Sequence, residues 1–139
     1  MSARVLRTAL PLLLASFLVA DAAHARCLSQ DPSTVQLVGT VTKRTLPGPP
    51  NYTSVGRGDR PEIVYFLDLD EAVCVSGSPG SRRNAKSHAG VEQIQLSNQA
   101  SRAKTLVGKR VRVSGTLSTA QTDHDRTPVV LRVQELRVD

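Results

Sequence analysis

Two polar clusters hold most of the side chains that could bind a ligand. The first cluster contains Asn51, Tyr52, Arg57, Asp59 and Arg60. The second contains Asp123, His124, Asp125 and Arg126. The two clusters lie in predicted loops that are far apart in sequence, so a shared site depends on the fold bringing these loops together. We predict one ligand site built from Asn51, Tyr52, Arg57, Arg60, His124 and Arg126. The alternative is an ordinary stiff connection in which Asp59 and Arg60 pair or cap locally.

Catalytic and metal-binding chemistry find little support in the residue pattern. Beyond residue 25 the only histidines are His88 and His124, and no GxSxG, HExxH or phosphate-cradling loop is present. A hydrolase would therefore depend on one of these two histidines. Asp123, His124 and Asp125 carry oxygen and nitrogen ligands, but three adjacent residues of an extended segment cannot all face one ion. We predict a solvated turn there, with no catalytic residues, no metal and no cofactor.

The chain is basic, with a formal net charge of +6. One predicted loop carries Arg82, Arg83, Lys86 and His88, and further positive charge comes from Lys104, Lys109, Arg110 and Arg112. Such charge suits anionic partners, whether nucleic acid, lipid head groups, acidic glycans or an acidic protein, or it simply keeps the protein soluble. Proteins that bind single strands stack bases on aromatic rings, and aromatic residues make up only 3% of this chain. Nucleic acid is therefore disfavoured.

The N-terminus predicts export. Arg4 and Arg7 precede an uncharged apolar run from Thr8 to Ala20, which is shorter than the roughly 20 residues that span a bilayer. The small residues Ala23 and Ala25 then form a cleavage pattern typical of a signal peptide. We predict a signal peptide over residues 1–25 and one periplasmic or secreted domain over residues 26–139, with no transmembrane segment. An uncleaved anchor or a buried helix is the alternative.

Cys27 and Cys74 are the only cysteines. In an exported chain an even pair most simply forms a disulfide. A two-ligand metal site or a redox pair are the other interpretations, but the spacing is far from CxxC and no histidine is close in sequence. We predict a Cys27–Cys74 disulfide.

Hydrophobic alternation and Gly/Pro punctuation predict an all-β domain. The predicted strands cover residues 34–45, 62–70, 91–96, 110–119 and 128–138, with loops at 46–61 and 76–90; residues 72–75 continue the sheet or begin a hairpin partner. One helix is predicted, capped by Ser97 or Asn98 and ended by Gly108. The apolar phase slips between Val133 and Leu136, which predicts a bulge or an exit from the sheet.

The order of these elements favours a small OB-like five-stranded barrel with one short helix between strands 3 and 4. Segments 35–42 and 111–118 resemble each other, and each has a glycine, Gly39 or Gly115, in mid-strand, where a sharp bend or pairing with two sheets would require it. A two-sheet sandwich is the runner-up. In OB-folds the loops joining strands 1–2 and 4–5 lie beside the face of strands 2–3 and bind ligands, so the two polar clusters should meet.

Several motifs together resemble an uncharacterised bacterial family, domain of unknown function 4431. The motifs are Pro47-Gly48-Pro49-Pro50-Asn51-Tyr52, Gly58-Asp59-Arg60-Pro61-Glu62, Val73-Cys74-Val75, Leu106-Val107-Gly108-Lys109-Arg110-Val111, Gly115-Thr116-Leu117 and Thr127-Pro128-Val129. The similarity runs from Cys27 to about Val133. Members of the family are small, usually exported, and have no established activity. Many have a histidine-rich turn before the Thr-Pro-Val, but here that turn has only His124.

Taken together, these features predict an exported binding module for an envelope protein, or for an anionic small molecule or glycan. The predicted ligand surface is formed by the strand 1–2 and strand 4–5 loops. The alternative is a structural accessory domain that supports another envelope protein and has no dedicated small ligand. A co-purifying small molecule would favour the binding module, and a stoichiometric protein partner the accessory domain.

Overall fold

The computed structural model describes residues 27–139, so the predicted signal peptide lies outside the described residues. The strands are β1 (Leu28–Ser29), β2 (Thr34–Pro47), β3 (Pro61–Ser76), β4 (His88–Ser97), β5 (Arg110–Thr119) and β6 (Val129–Val138). The helix α1 (Ala100–Thr105) lies between β4 and β5, and a short 3-10 turn covers Val55–Arg57. Within this part of the chain, no helix is long and apolar enough to cross a membrane.

Five strands pair into a closed ring. The sheet order is β1-β3-β2-β5-β6-β4. An additional pairing of β3 with β4 closes the ring, which therefore consists of β3, β2, β5, β6 and β4. The β4–β6 pair is parallel and the other ring pairs are antiparallel. The predicted all-β fold, with one helix between its third and fourth ring strands, is confirmed. The short strand β1, which pairs in parallel with β3 outside the ring, was not predicted.

The inside of the ring is filled by aliphatic side chains that alternate along the strands. The buried cluster includes Val35, Leu37 and Val41 of β2, Leu67 of β3, Ile94 of β4, Val111, Val113 and Leu117 of β5, and Leu131 and Val133 of β6. Because the pleat sends alternate residues to opposite faces, each strand contributes one side of its sequence to this core. The opposite faces of β2–β4 and the loops at the ends of the ring remain available for polar side chains.

The two mid-strand glycines occupy equivalent positions in the ring. Gly39 pairs with Leu69 of β3 and with Val111 of β5, and Gly115 pairs with Val35 of β2 and with Val133 of β6. A Cβ atom at Gly39 would collide with the backbone carbonyl of Asp68, and one at Gly115 with the carbonyl of Arg132. Glycine is required at both places because a neighbouring backbone occupies the space of a side chain.

The predicted irregularity in the last strand is confirmed. The β5–β6 register pairs Ser114 with Glu135 and then Gly115 with Val133, which leaves Gln134 as an extra residue on β6. This bulge re-phases β6, so that Val133 and Leu136 are both buried although they are three positions apart.

Some sequence-based boundaries were wrong. The helix begins after Gln99, whose side chain makes no capping hydrogen bond, and neither Ser97 nor Asn98 is the cap. Ser97 is still the last residue of β4, and Asn98 has a φ of 62°, so the chain turns sharply before the helix can start. The predicted stop holds, because Gly108 adopts a φ of 81° just after the helix.

Strand β3 is longer than predicted and runs unbroken through Glu71, so residues 72–75 continue the sheet rather than begin a hairpin partner. Ile63 is 57% exposed because it lies where the ring ends, whereas Tyr65 and Leu67 of the same strand are buried. His88 was expected in a loop but is the first residue of β4.

The predicted disulfide between Cys27 and Cys74 is present, with 4.6 Å between the two Cα atoms. It fixes the first described residue beside β3, and Leu28 then pairs with Val75. The side chain of Gln30 continues into a buried position, 1% exposed. The segment from Cys27 to Gln30 is therefore part of the folded domain.

Candidate functional site

The first loop, residues 48–60, is organised around the carboxylate of Asp59. Its oxygens accept N–H groups of Asn51, Thr53 and Ser54, each at 2.8 Å. Asp59 is only 3% exposed. The hydrogen bond from Ser54, aided by those from Thr53 and Asn51, outweighs the opposing effect of burial and lowers the pKa of Asp59 to about 2. These bonds are the local capping that the alternative interpretation of this loop describes for Asp59.

Tyr52 is held in an unusual backbone conformation within this loop. Its φ is 58°, in the left-handed region that bulky residues rarely adopt. Its N–H donates to the carbonyl of Gly48 at 2.9 Å, which closes a tight turn. A left-handed non-glycine residue has to be maintained by its surroundings, and such residues concentrate at functional positions.

The last loop, residues 120–128, is organised by Asp125 and by Gln95 of β4. Asp125 accepts the N–H groups of Gln121 at 2.7 Å and Thr122 at 2.9 Å. The side chain of Gln95 accepts the N–H of Arg126 at 2.5 Å and donates to the carbonyl of His124 at 3.0 Å. Asp125 is thus used to close the turn, as the solvated-turn interpretation expects.

The two loops meet at one end of the ring. The hydroxyl of Tyr52 lies 2.8 Å from Nε2 of His124, and the two rings stand perpendicular with 5.2 Å between their centroids. Nδ1 of His124 lies 3.0 Å from Oε1 of Glu62, the second residue of β3. The convergence predicted from the OB-like topology is therefore present in the structure.

Arg126 extends this network toward the ring. Its guanidinium donates to Oε2 of Glu62 at 2.7 Å and to the carbonyl of Pro47 at 2.6 Å, and its central carbon lies 5.1 Å from the centre of the Tyr52 ring. The Arg126 side chain is 12% exposed, and within residues 27–139 its buried Nε atom has no hydrogen-bond partner. Arg126 is therefore largely committed to holding the two loops together.

Glu62 balances the positive side of this network. Its partial burial alone would raise the pKa of the carboxyl group. Hydrogen bonds from His124 and Arg126, together with electrostatic attraction to these two groups, outweigh that effect and lower the pKa of Glu62 below its ordinary value. The carboxylate thus stays ionised and keeps both partners in place.

The structure brings together three of the six predicted ligand residues: Tyr52, His124 and Arg126. Asn51 joins only through its backbone N–H to Asp59. Arg57 and Arg60 are exposed on the first loop, and neither forms an ion pair with a carboxylate of the described residues. Glu62 and Gln95 were not predicted as site residues, although both connect the loops.

A polar strip on the outer face of β2–β4 continues from this end of the ring. The Arg44 guanidinium lies 4.2 Å from the centre of the Phe66 ring, which is fully buried beneath it. Arg44 also donates to Gln93 at 2.8 Å, and Gln93 donates to Asp68 at 2.6 Å. Gln95, which pairs with Phe66 across the strands, connects this strip with the two loops.

Residues 93–137 match the family model of a domain of unknown function, DUF4431. The resemblance that the sequence indicates is confirmed over this segment. The DUF4431 match includes β5, the last loop and most of β6, and hence Gln95, His124 and Arg126. Tyr52 and Glu62 lie outside it. No curated protein matches the chain.

Replacing Asp59 with asparagine is expected to loosen the first loop and to change the acid response of the protein. The native pKa of about 2 lies below the ordinary aspartate value of 3.8, so Asp59 stabilises the fold fully above pH 3.8. That contribution is lost as the pH falls toward 2, because the carboxylate is then protonated in the native state too. Urea unfolding of wild type and Asp59→Asn should therefore differ at about pH 6 and converge near pH 2.

The matched control is Asp123→Asn, which makes the same chemical change at an exposed position of the last loop. It should leave the pH profile of unfolding close to that of the wild type. A stability difference for Asp59→Asn that stays constant across the pH range would show that the hydrogen bonds to the charged carboxylate do not matter.

Proposed function

We propose that this chain is an exported binding module that takes an anionic ligand at the end of the ring where its first and last loops meet. The observation that carries the proposal is the Tyr52–His124 hydrogen bond of 2.8 Å, which joins two loops that are far apart in sequence. Loops at this end form the ligand surface of OB-like rings. The Cys27–Cys74 disulfide suits a periplasmic or secreted location.

An anionic ligand follows from the distribution of charge among the arginines. Arg126 is neutralised by Glu62, whereas Arg57 and Arg60 are exposed without a carboxylate partner among residues 27–139. Asp59 fixes the backbone between them, so less entropy is lost when these side chains bind a partner. The acidic glycans and acidic protein surfaces of the cell envelope have the required charge.

Binding is tested with the Tyr52→Ala, Arg57→Ala, Arg60→Ala triple variant. Native mass spectrometry of the wild-type protein purified from a bacterial periplasm should show an added mass that reducing and denaturing conditions remove. The triple variant should lose the added mass, while its circular dichroism spectrum stays that of a folded domain. The matched control is the triple variant Arg102→Ala, Lys104→Ala, Thr105→Ala on α1. This variant should keep the added mass. Unchanged binding by the triple variant would contradict the proposal.

A hydrolase is a second candidate, because His124 is held by Glu62 through Nδ1 and meets a hydroxyl through Nε2. That is the arrangement of a general base oriented by a carboxylate. The hydroxyl belongs to Tyr52, whose own ring is fixed by Arg126, so a connection between two loops accounts for the same contacts. Turnover of a supplied ester or glycoside that disappears in His124→Ala and persists in His88→Ala would favour the enzyme over the binding module.

A further inference from the structure

A polar cavity lies beside the loop between β3 and β4, residues 77–87, which we term the basic loop. Two arginines, Arg83 and Arg132, line the cavity. Neither forms an ion pair with a carboxylate of residues 27–139, in contrast to Arg110, Arg112 and Arg126. Arg83 and Arg132 thus bring two positive charges to one concave site, whose lining holds a single carboxylate, that of Asp31.

Four further residues of the lining carry neutral hydrogen-bonding groups. Thr116 and Ser118 contribute hydroxyls from β5, and Asn84 and Gln121 contribute amides. Asn84 is 6% exposed, and its Oδ1 accepts the N–H of Thr119 at 3.1 Å. That bond fixes the orientation of the amide, so Nδ2 remains as a donor, and no hydrogen bond engages it within the described residues.

The basic loop that carries Arg83 is held in place by two glutamine side chains, buried Gln30 and exposed Gln121. The Gln30 amide nitrogen donates to the carbonyls of Ser76, Asn84 and Lys86 at 3.2, 3.3 and 2.9 Å. Gln121 donates to the carbonyl of Arg83 at 3.1 Å. A site whose backbone is fixed in this way loses little conformational entropy on binding, which favours a specific ligand over diffuse attraction.

We propose that this cavity is a binding site for a tetrahedral oxyanion of the phosphate class. Two arginines, two hydroxyls and a fixed amide donor match the several acceptor oxygens of such a group. The exposed Arg82 and Lys86 on the same loop extend the positive surface around it. Asp31 also lines the cavity, and its negative charge opposes the binding of an anion. Removing that charge therefore tests the proposal. The site goes beyond the proposed function, because it does not include Tyr52, Arg57 or Arg60.

The oxyanion could be free phosphate or the phosphate of a lipid head group, and the experiment separates the two sources. Amide NMR spectra are recorded during a titration with inorganic phosphate at constant ionic strength. In parallel, co-sedimentation is measured with phosphatidylglycerol vesicles and with phosphatidylcholine vesicles. Free phosphate is the source if the amides of Thr119 and Gln121 shift with phosphate. The head group is the source if the protein sediments with phosphatidylglycerol vesicles but does not respond to phosphate.

Arg83→Gln and Arg132→Gln should each weaken whichever binding is seen by about tenfold or more, because each removes a charge-assisted hydrogen bond. Asp31→Asn should tighten it. Arg102→Gln on α1 makes the same change of charge away from the cavity and should have little effect. The proposal is overturned if neither phosphate nor vesicles bind, or if Arg102→Gln weakens binding as much as the cavity variants. The Tyr52, Arg57, Arg60 triple variant should bind phosphate or vesicles as wild type does, so this test and that of the proposed function can fail independently.

Discussion

Replacing both Cys27 and Cys74 with serine is expected to lower the free energy of unfolding by about 4 kcal/mol. The bond joins residues 47 positions apart, and closing a loop of that size restricts the unfolded chain strongly. Guanidinium unfolding followed by circular dichroism measures the effect. Wild type in dithiothreitol is the matched control, since reduction breaks the same bond without changing the sequence.

The same variant should also loosen the basic loop. Without the disulfide, β1 is held by its two-residue pairing with β3 and by the packing of Leu28 on the core, and Gln30 follows directly after it. The three carbonyls that Gln30 holds all belong to residues 76–86. Hydrogen exchange of the loop amides should therefore accelerate more than that of β5 in the centre of the sheet. Equal stability of wild type and variant, or unchanged exchange in the loop, would show that the N-terminal segment docks without the disulfide.

The parts of the fold that follow from local residue pattern were predictable. Alternation located the five ring strands, and the phase slip between Val133 and Leu136 located the bulge at Gln134. The similarity between segments 35–42 and 111–118 showed Gly39 and Gly115 at equivalent mid-strand positions. Glycine is needed at both because the close approach of a neighbouring backbone excludes every side chain. Strand β1 could not be predicted, since two residues carry no periodicity and the disulfide holds them against β3.

The helix start shows where local propensity loses to tertiary constraint. Ser97 and Asn98 are favourable capping residues. Ser97 is nevertheless retained by β4, pairing with Arg132 and donating its hydroxyl to the carbonyl of Leu131 at 3.2 Å. The helix therefore begins later, at Ala100, without a side-chain cap.

The meeting of the two loops was predictable from strand order, but its chemistry was not. Tyr52 and His124 were predicted as site residues because they lie in loops that an OB-like ring brings together. In the sequence, Glu62 looks like an ordinary strand residue. Its role follows only from the register, which places it opposite Leu46 at the end of the β2–β3 pair. Gln95 and Gln30 are likewise single amides whose importance depends on burial, which no local pattern displays.

Replacing Gly115 with alanine is expected to destabilise the domain by about 3 kcal/mol, as added bulk does in a packed interior. The new Cβ would collide with the carbonyl of Arg132, which is backbone and cannot rotate away. Arg132 is paired with Thr116 of β5 and with Ser97 of β4, so β6 cannot yield without disturbing both neighbours. Because the ring is closed, displacement at one pair is passed to the others, and the last loop that follows β5 moves with it.

Thermal and urea unfolding of Gly115→Ala measure this loss, and Gly56→Ala provides the control. A Cβ at Gly56 would meet only the hydroxyl of Ser54, at 3.6 Å, so stability should change by less than about 0.5 kcal/mol. Gly39→Ala should cost about as much as Gly115→Ala, because Gly39 faces the Asp68 carbonyl in the same way. A Gly115→Ala protein as stable as the wild type would mean that the ring can open between β5 and β6. The position of the last loop, and with it the Tyr52–His124 contact, would then not be fixed by the ring.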